Sequence, residues 1–198
     1  MMPTVLSHNA PDALLAVKAA LETGGTIVFP TDTVYGLGGN PWDERTLSRV
    51  RSLKERPADQ PFTLHLGHVG AVNRFARLEP RQRDWVEHLL PGPYTLILPA
   101  EPTAPPSAVH QGKVGIRVPA HPFFQAVVAR LDLPMFGTSV NRHSEPPLND
   151  IEEIIDRFHP VDLILVGPVG LTSSVIIDLT RLPPRLVRGG RLPDDLLR

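Results

Sequence analysis

Apolar residues recur in two periods along this chain, and the switches between them divide it into strands and helices. Thr26 to Phe29 is a short β-branched apolar run of the kind that fills a buried strand, and it stops at Pro30, which has no N–H to give a sheet ladder. Leu14, Val17 and Leu21 recur three and four apart, which predicts a helix over 10–23 with Asn9 as cap, Pro11 in the first turn and Gly24 as the stop. Leu47, Val50 and Leu53 predict a second helix, capped by Asp43 and ending near Lys54. Phe62, Leu64 and Leu66 then alternate with Thr63, His65 and Gly67, as a strand with one buried face would. Helical stretches over 68–77 and 80–90 lead to a strand from Tyr94 to Leu98, and residues 99–112, with four prolines, read as an irregular loop. In Val114 to Val118 the apolar residues take one face while Gly115 and Arg117 take the other. A helix over 122–132, an apolar segment from Met135, an amphipathic helix on Ile151, Ile154, Ile155 and Phe158, strands at 162–166, 174–179 and 185–188, and a turn at 194–198 complete the pattern. Several strand pairs are close enough in sequence to be antiparallel. The expected fold is therefore mixed α/β (α+β): a twisted, mixed parallel/antiparallel open sheet with helices on its faces. No linker-like tract divides the chain, so residues 1–198 are expected to form a single domain.

Composition narrows the function classes. With net charge −1 and a pI near 6.7, the chain lacks the basic character of a constitutive nucleic-acid binder, so any anion site must be local. There is no cysteine, which removes disulfides, thiolate nucleophiles and cysteine-ligated zinc or iron–sulfur sites. No apolar run approaches the ~20 residues of a membrane span, and MMPTVLSHNAPDALL has no basic region followed by an apolar core. A cytoplasmic protein without a membrane partner is the expectation. Of 20 basic residues 17 are arginine, and the lysines are Lys18, Lys54 and Lys113. Two of these stand beside segments with candidate chemistry, where a compact point charge suits phosphate oxygens; exposed helix ends and loops are the alternative setting for them.

The densest candidate chemistry lies directly past the first buried strand. Thr31-Asp32-Thr33-Val34-Tyr35-Gly36-Leu37-Gly38-Gly39 packs hydroxyls, a carboxylate and three glycines into nine residues, and open α/β sheets bind ligands beyond the carboxyl ends of their strands. The next helix delivers Lys54 and Arg56 beside Pro57. Neither G-x-x-x-x-G-K-[ST] nor G-x-G-x-x-G is completed, so a nucleotide bound here is held by side chains and turn amides from several strands. His65 and His68, three apart on a strand ending at Gly67, do not build a metal site.

PTDTVYGLG followed by Lys-x-Arg-Pro, then GKVGIRVPAHP (Gly112 to Pro122), TSVN (Thr138 to Asn141), TSSVIID (Thr172 to Asp178) and LVRGG (Leu186 to Gly190), resembles the YrdC/TsaC family of threonylcarbamoyl-AMP synthases. The pieces stand in family order and span nearly the whole chain. The resemblance implies an L-threonylcarbamoyladenylate synthase, a nucleotidyltransferase that uses L-threonine, bicarbonate and ATP to form threonylcarbamoyl-AMP and pyrophosphate for threonylcarbamoyladenosine in tRNA, next to the anticodon. It implies Lys54 and Arg56 on the ATP phosphates, with the solvated cationic end of a helix as their plain alternative. Lys113, Ser139, Asn141 and Arg188 would also bind ATP. Thr33, His65 and Ser173 would line the threonine side, with Arg117 clamping the threonine carboxylate. Thr31, Asp32 and Tyr35 are further candidates; Asp32 either accepts from threonine or forms a local turn. No side chain is assigned as nucleophile or general base, and Lys54 and Arg56 would act electrostatically. No protein metal site is expected, magnesium arriving on the ATP phosphates. Val140 stands where the family usually has alanine, Ser144 where glycine is usual, and Pro147 where a polar residue occurs; these departures bear on the 142–149 loop.

Two other classes fit parts of the pattern. Carbamoyl-adenylate domains of hydrogenase maturation proteins share the expected fold but work within long chains that carry zinc-finger segments. A module that binds structured RNA weakly would use phosphate contacts and show a strong salt dependence. Longer members of the resembled family append a second domain, whereas this chain resembles the single-domain form. The partner implied is the transferase machinery that carries the intermediate to tRNA.

Overall fold

The computed structural model describes residues 2–197, so Met1 and Arg198, the ends of the expected 1–198 span and of the expected terminal turn, lie outside the described residues. Among the described residues five α-helices, α1 (Ala13–Glu22), α2 (Glu44–Lys54), α3 (Pro80–Leu89), α4 (Pro122–Leu131) and α5 (Ile151–Arg157), are set among eleven strands. The strands are β1 (Thr4–Ser7), β2 (Ile27–Phe29), β3 (Gly36–Gly39), β4 (Thr63–His65), β5 (Tyr94–Pro99), β6 (Val109–His110), β7 (Lys113–Arg117), β8 (Met135–Ser139), β9 (Leu163–Val166), β10 (Val175–Asp178) and β11 (Arg185–Arg188). They form one sheet in the order β1-β9-β2-β3-β8-β4-β7-β5-β10-β11, with β6 also on β7. The pairs β1/β9, β2/β9, β4/β7 and β5/β10 are parallel and the others antiparallel, which is the mixed sheet the sequence predicts.

Register sorts the side chains into two faces. Leu64 lies opposite both Phe136 of β8 and Ile116 of β7, and Ile116 lies opposite Leu96 of β5, so these apolar residues share one face. That face is covered along its length: α2 and α5 contribute Leu47, Val50 and Ile154 at one end, and α3 contributes Trp85, Val86 and Leu89 at the other. On the opposite face α1 and α4 cover the β1-β9-β2 end through Val17, Leu21, Phe124 and Val127. The remaining strands of that second face carry the polar partners of each alternation, Thr63 and His65, Thr95, Gly115 and Arg117. Period-2 alternation thus builds a core below the sheet and leaves a polar floor above it.

Several expectations change in detail. The segment past Pro30, where the pattern predicts no strand, holds one: Gly36–Gly39, antiparallel to β2 and β8. A Cβ on Gly38 would stand 1.8 Å from the Phe136 carbonyl oxygen, so backbone proximity selects the glycine that made the strand invisible to pattern. The stretch read as a helix over 68–77 is a 3₁₀ helix, Val69–Arg74, and the 99–112 loop holds a 3₁₀ turn and the two-residue β6. Strand β1, largely exposed, had no alternation to reveal it.

Candidate active site

The uncovered part of the second face is the floor of a cavity of about 380 Å³. Alternate residues of five neighbouring strands reach it: Gly137 and Ser139, Thr63 and His65, Lys113, Gly115 and Arg117, Thr95 and Ile97, and Ile176 and Asp178. Thr31, Thr33, Tyr35 and Gly36 form one end, Arg56 a wall, and Ser173, Ser174, Arg185 and Arg188 the far rim. Of the sequence-nominated residues, the cavity brings together Thr31, Thr33, Tyr35, Arg56, His65, Lys113, Arg117, Ser139, Ser173 and Arg188. Lys54, Asp32 and Asn141 stand behind its walls.

The turn at the end of β2 is held by its own hydroxyls. Thr31 Oγ1 donates to the Val34 carbonyl (2.7 Å) and accepts from the Thr33 N–H (3.1 Å), while the two threonine hydroxyls lie 3.0 Å apart. Thr31 is spent on the turn, and Thr33, its hydroxyl against that of Thr31, lines the cavity. Tyr35 is tied backwards, donating to the Gly167 carbonyl (2.7 Å) and accepting from its N–H (3.2 Å), which clamps the 167–170 turn onto this end of the site.

Lys54 ends α2 where Glu55 takes a left-handed conformation (φ 53°). Its ammonium is buried and gives all three protons to the chain: to the Ser139 carbonyl (2.6 Å), the Asn141 carbonyl (2.7 Å) and Asn141 Oδ1 (3.1 Å). Asn141 in turn accepts from Ser139 Oγ (2.5 Å) and donates to the carbonyls of Arg142 (2.7 Å) and Glu145 (3.0 Å). Lys54 therefore braces the end of β8 and the loop after it. Burial, and then the nearby Arg56 charge, lower its pKa from 10.5 to about 7. In that loop Ser144 adopts φ 68°, the left-handed region where glycine is favoured, so the serine keeps the turn at some conformational cost.

Arg56 behaves differently. It donates to the Pro61 carbonyl (2.8 Å), stacks over Phe62 with its guanidinium carbon 5.1 Å from the ring centroid, and leaves Nε buried without a partner. Arg117 is buried and paired with Asp32, and its Nε is likewise unpartnered. His65 packs edge-on to Phe29 and Phe124, with ring centroids 5.8 Å away in each case. A Cβ on Gly137 would strike the His65 ring at 2.6 Å. Burial and the Arg117 charge push His65 down to about 3, so near neutrality it is an uncharged hydrogen-bonding wall and not a proton carrier.

The far side was less legible. Sequence reasoning passes over Thr95, Ser174, Asp178 and Arg185, although Ser174, Ile176 and Asp178 share one strand face by simple alternation. Thr95 and Ser174 hydroxyls lie 3.0 Å apart. Buried Asp178 accepts from Thr180 N (2.9 Å) and Oγ1 (2.6 Å) and from Lys113 Nζ (3.1 Å). Burial alone would raise this carboxyl, but those bonds and the lysine charge outweigh it and hold it below the usual range. Arg188 at the rim donates to the Ser174 carbonyl (3.2 Å). Arg56, Lys113, Arg117, Arg185 and Arg188 all line the cavity, against one lining carboxylate, Asp178. A chain of net charge −1 has concentrated positive charge at one place.

The family model Sua5_yciO_yrdC, which carries the description "Telomere recombination", matches residues 19–190. The chain belongs to this Sua5/YciO/YrdC family. Within the family it is similar to a threonylcarbamoyl-AMP synthase of Pyrococcus abyssi, 32% identical over 180 residues, 87% of this chain but 52% of the relative. A threonylcarbamoyl-AMP synthase of Coxiella burnetii is 33% identical over 160 residues, 79% of this chain and 86% of the relative. Escherichia coli "Uncharacterized protein YciO" is also 33% identical, over 86% of this chain and 85% of its own. The chain thus spans about half of the archaeal synthase and most of the other two. Among solved structures, P. abyssi Sua5 complexed with L-threonine superposes with a TM-score of 0.85 at 28% identity, covering 100% of this chain and 60% of that one. E. coli YciO gives 0.83 at 31% identity, covering 94% of each. Full-length HypF, at 19% identity and TM-score 0.74, shares the fold.

Proposed function

We propose that the chain is an L-threonylcarbamoyladenylate synthase, a nucleotidyltransferase that joins L-threonine, bicarbonate and ATP into threonylcarbamoyl-AMP and pyrophosphate. The observation that carries this reading is the cavity itself: five cations and a row of hydroxyls, no side chain placed as a nucleophile, and a neutral histidine. Such a lining suits a reaction between two anions, in which positioning and charge neutralisation supply most of the rate. A carbamate oxygen of N-carboxythreonine attacks the α-phosphorus, the bond from that phosphorus to the α,β-bridging oxygen breaks, and pyrophosphate leaves with the electron pair.

On this reading Thr33, His65, Ser173 and Arg117 receive threonine, while Arg56, Lys113, Ser139 and Arg188 receive ATP. Lys54 and Asn141 serve the nucleotide from behind, by fixing Ser139. The likeness to Sua5 complexed with L-threonine supports the threonine side, and the similarity to named synthases supports the reaction. Asp178 is engaged by Lys113 and Thr180, so magnesium is carried in on the ATP phosphates instead of being held by a protein carboxylate. Residues 1–198 then act as one synthase domain in the cytoplasm, and no described helix is long and apolar enough to cross a membrane. The intermediate passes to tRNA threonylcarbamoyl transferase machinery.

The test is pyrophosphate release from magnesium-ATP with threonine and bicarbonate omitted in turn, with mass spectrometry of the adenylate. Release requiring both, with a product of threonylcarbamoyl-AMP mass, is expected. ATP binding without threonine-dependent release would refute the reading.

A further inference from the structure

Three glycines line the cavity within strands, and the protein's own packing accounts for two of them. A Cβ on Gly36 would stand 2.3 Å from the Phe29 ring, and one on Gly137 would stand 2.6 Å from the His65 ring. Gly115 is different. The nearest heavy atoms that other segments bring to its Cβ position are Thr95 Cγ2 at 3.7 Å and Thr63 Oγ1 at 4.0 Å, both ordinary contacts. Its φ is not in the left-handed region either. A glycine inside a strand weakens the strand, and where neither crowding nor dihedral requires it, it leaves backbone bare for something to lie against. The bare patch is bounded on four sides. Along β7, Lys113 and Arg117 stand two residues away on the same face, roughly 7 Å in each direction. Across the sheet, β4 brings the Thr63 hydroxyl, which no other described residue engages, and β5 brings the Thr95 methyl, since the Thr95 hydroxyl is turned to Ser174 (3.0 Å).

We infer that the Gly115 patch is the seat of the bicarbonate, with Thr63 as its hydrogen-bonding residue. The inference rests on the synthase reading. In that reading Arg117 receives threonine and Lys113 receives ATP, so the one-carbon substrate, which must be joined first to the amine and then to the α-phosphorus, belongs between them. The patch lies between those two residues on one strand. A small planar anion fits a floor that lacks only a side chain, two cations flank it, and a hydroxyl that can both donate and accept suits an ion carrying both oxygen acceptors and an O–H. There the threonine amine, after shedding one proton to solvent, attacks the bicarbonate carbon and the N–C bond forms. The C–OH bond breaks, and hydroxide leaves with a second amine proton as water, giving the carbamate. The carbamate oxygens are then left over the patch, on the side toward the ATP residues, in position for the attack on phosphorus.

The test is KM for bicarbonate, at saturating threonine and magnesium-ATP in carbonate-free buffer, in the wild type, Gly115→Ala, Thr63→Val and Thr63→Ser, with calorimetric binding of threonine and of ATP measured without bicarbonate. Alanine adds one methyl to the patch and nothing beyond it, and valine at 63 keeps the shape of threonine without its hydroxyl. Gly115→Ala is expected to raise KM for bicarbonate about tenfold, and Thr63→Val about fivefold. Thr63→Ser, which keeps the hydroxyl, should stay near the wild type, and threonine and ATP should bind all four proteins alike. An unchanged KM for bicarbonate in Gly115→Ala and Thr63→Val, or weakened threonine or ATP binding of the same size, would overturn the seat. So would a wild-type rate that rises in proportion to bicarbonate without saturating, since the carbamate would then enter ready formed. If Gly115→Ala fails to fold, the Thr63 pair decides alone. Absence of threonine-dependent turnover in the wild type would instead overturn the synthase reading, and the seat with it.

Discussion

Replacing Lys54 by methionine tests whether a buried cation is a brace that the fold maintains at a cost. Methionine fills the same channel without charge. The ammonium titrates near 7 in the folded chain and near 10.5 when exposed. Between these values the unfolded chain binds the proton that the folded chain gives up, so stability rises with pH across that window and is flat outside it. Working the two titrations from pH 7 to pH 9.5 gives a gain of about 3 kcal/mol in the wild type. Lys54→Met should lack this gain, so the pH dependence of the two proteins should differ by that amount. The assay is urea unfolding at both pH values and constant ionic strength, with the variant subtracted to remove every other titrating group. The variant should also turn over poorly, because the Ser139 and Asn141 carbonyls lose their shared donor at about 1–3 kcal/mol each. Equal pH slopes in the two proteins would refute the reasoning, since they would mean that the three oxygen acceptors hold the ammonium charged against burial.

Two further outcomes follow from the same geometry. A Cβ on Gly115 would meet Thr95 Cγ2 at 3.7 Å and Thr63 Oγ1 at 4.0 Å, so the protein itself does not require glycine there; Gly115→Val should keep its stability within about 1 kcal/mol and lose ATP or threonine affinity by tenfold or more, read by calorimetry. His65, lowered from 6.5 to about 3, refuses a proton that the unfolded chain accepts below 6.5. Stability should therefore fall by about 2.5 kcal/mol between pH 7 and pH 4.5, a loss missing from His65→Gln, while its ring signals do not titrate between pH 5 and 8.

Elements and site differ in how much of them alternation and spacing encode. The floor of the cavity was legible because Thr63 with His65, and Gly115 with Arg117, stand two apart on strands whose other face is apolar, so each strand displayed its own half of the site. Family motifs added Thr33, Arg56, Ser139, Ser173 and Arg188, all of which reach the same cavity. What stayed hidden depends on contacts between segments far apart in sequence. Strand β3 is held by an approach to the Phe136 backbone that only glycine permits, and no local pattern announces it. Asp178 reads as the end of an apolar strand until Lys113, from β7, is seen to reach it beside the local bonds from Thr180. His121 reads as a helix-start residue until His8, from just past β1, is seen to face it edge to ring at 5.6 Å.

The same dependence on distant contacts explains why cations equivalent in sequence have divided roles. Lys54 and Arg56 are two residues apart, yet Lys54 finds three oxygens of the β8 end at 2.6–3.1 Å while Arg56 keeps a buried nitrogen unpartnered and faces the cavity. A compact ammonium on a flexible stem fits a small cage of carbonyls; a planar guanidinium with five donors cannot be saturated there and retains donors for a ligand. Exchanging them should fail in both directions, since arginine at 54 would overfill the cage and lysine at 56 would lose the stacking on Phe62 and the fork. Arg117 sits between these cases, with one edge paired to Asp32 and Nε left over. In this chain a cation whose donors are satisfied by the protein holds the site in shape. A cation left short of partners, and desolvated by its surroundings, is the one that gains most when an anion arrives.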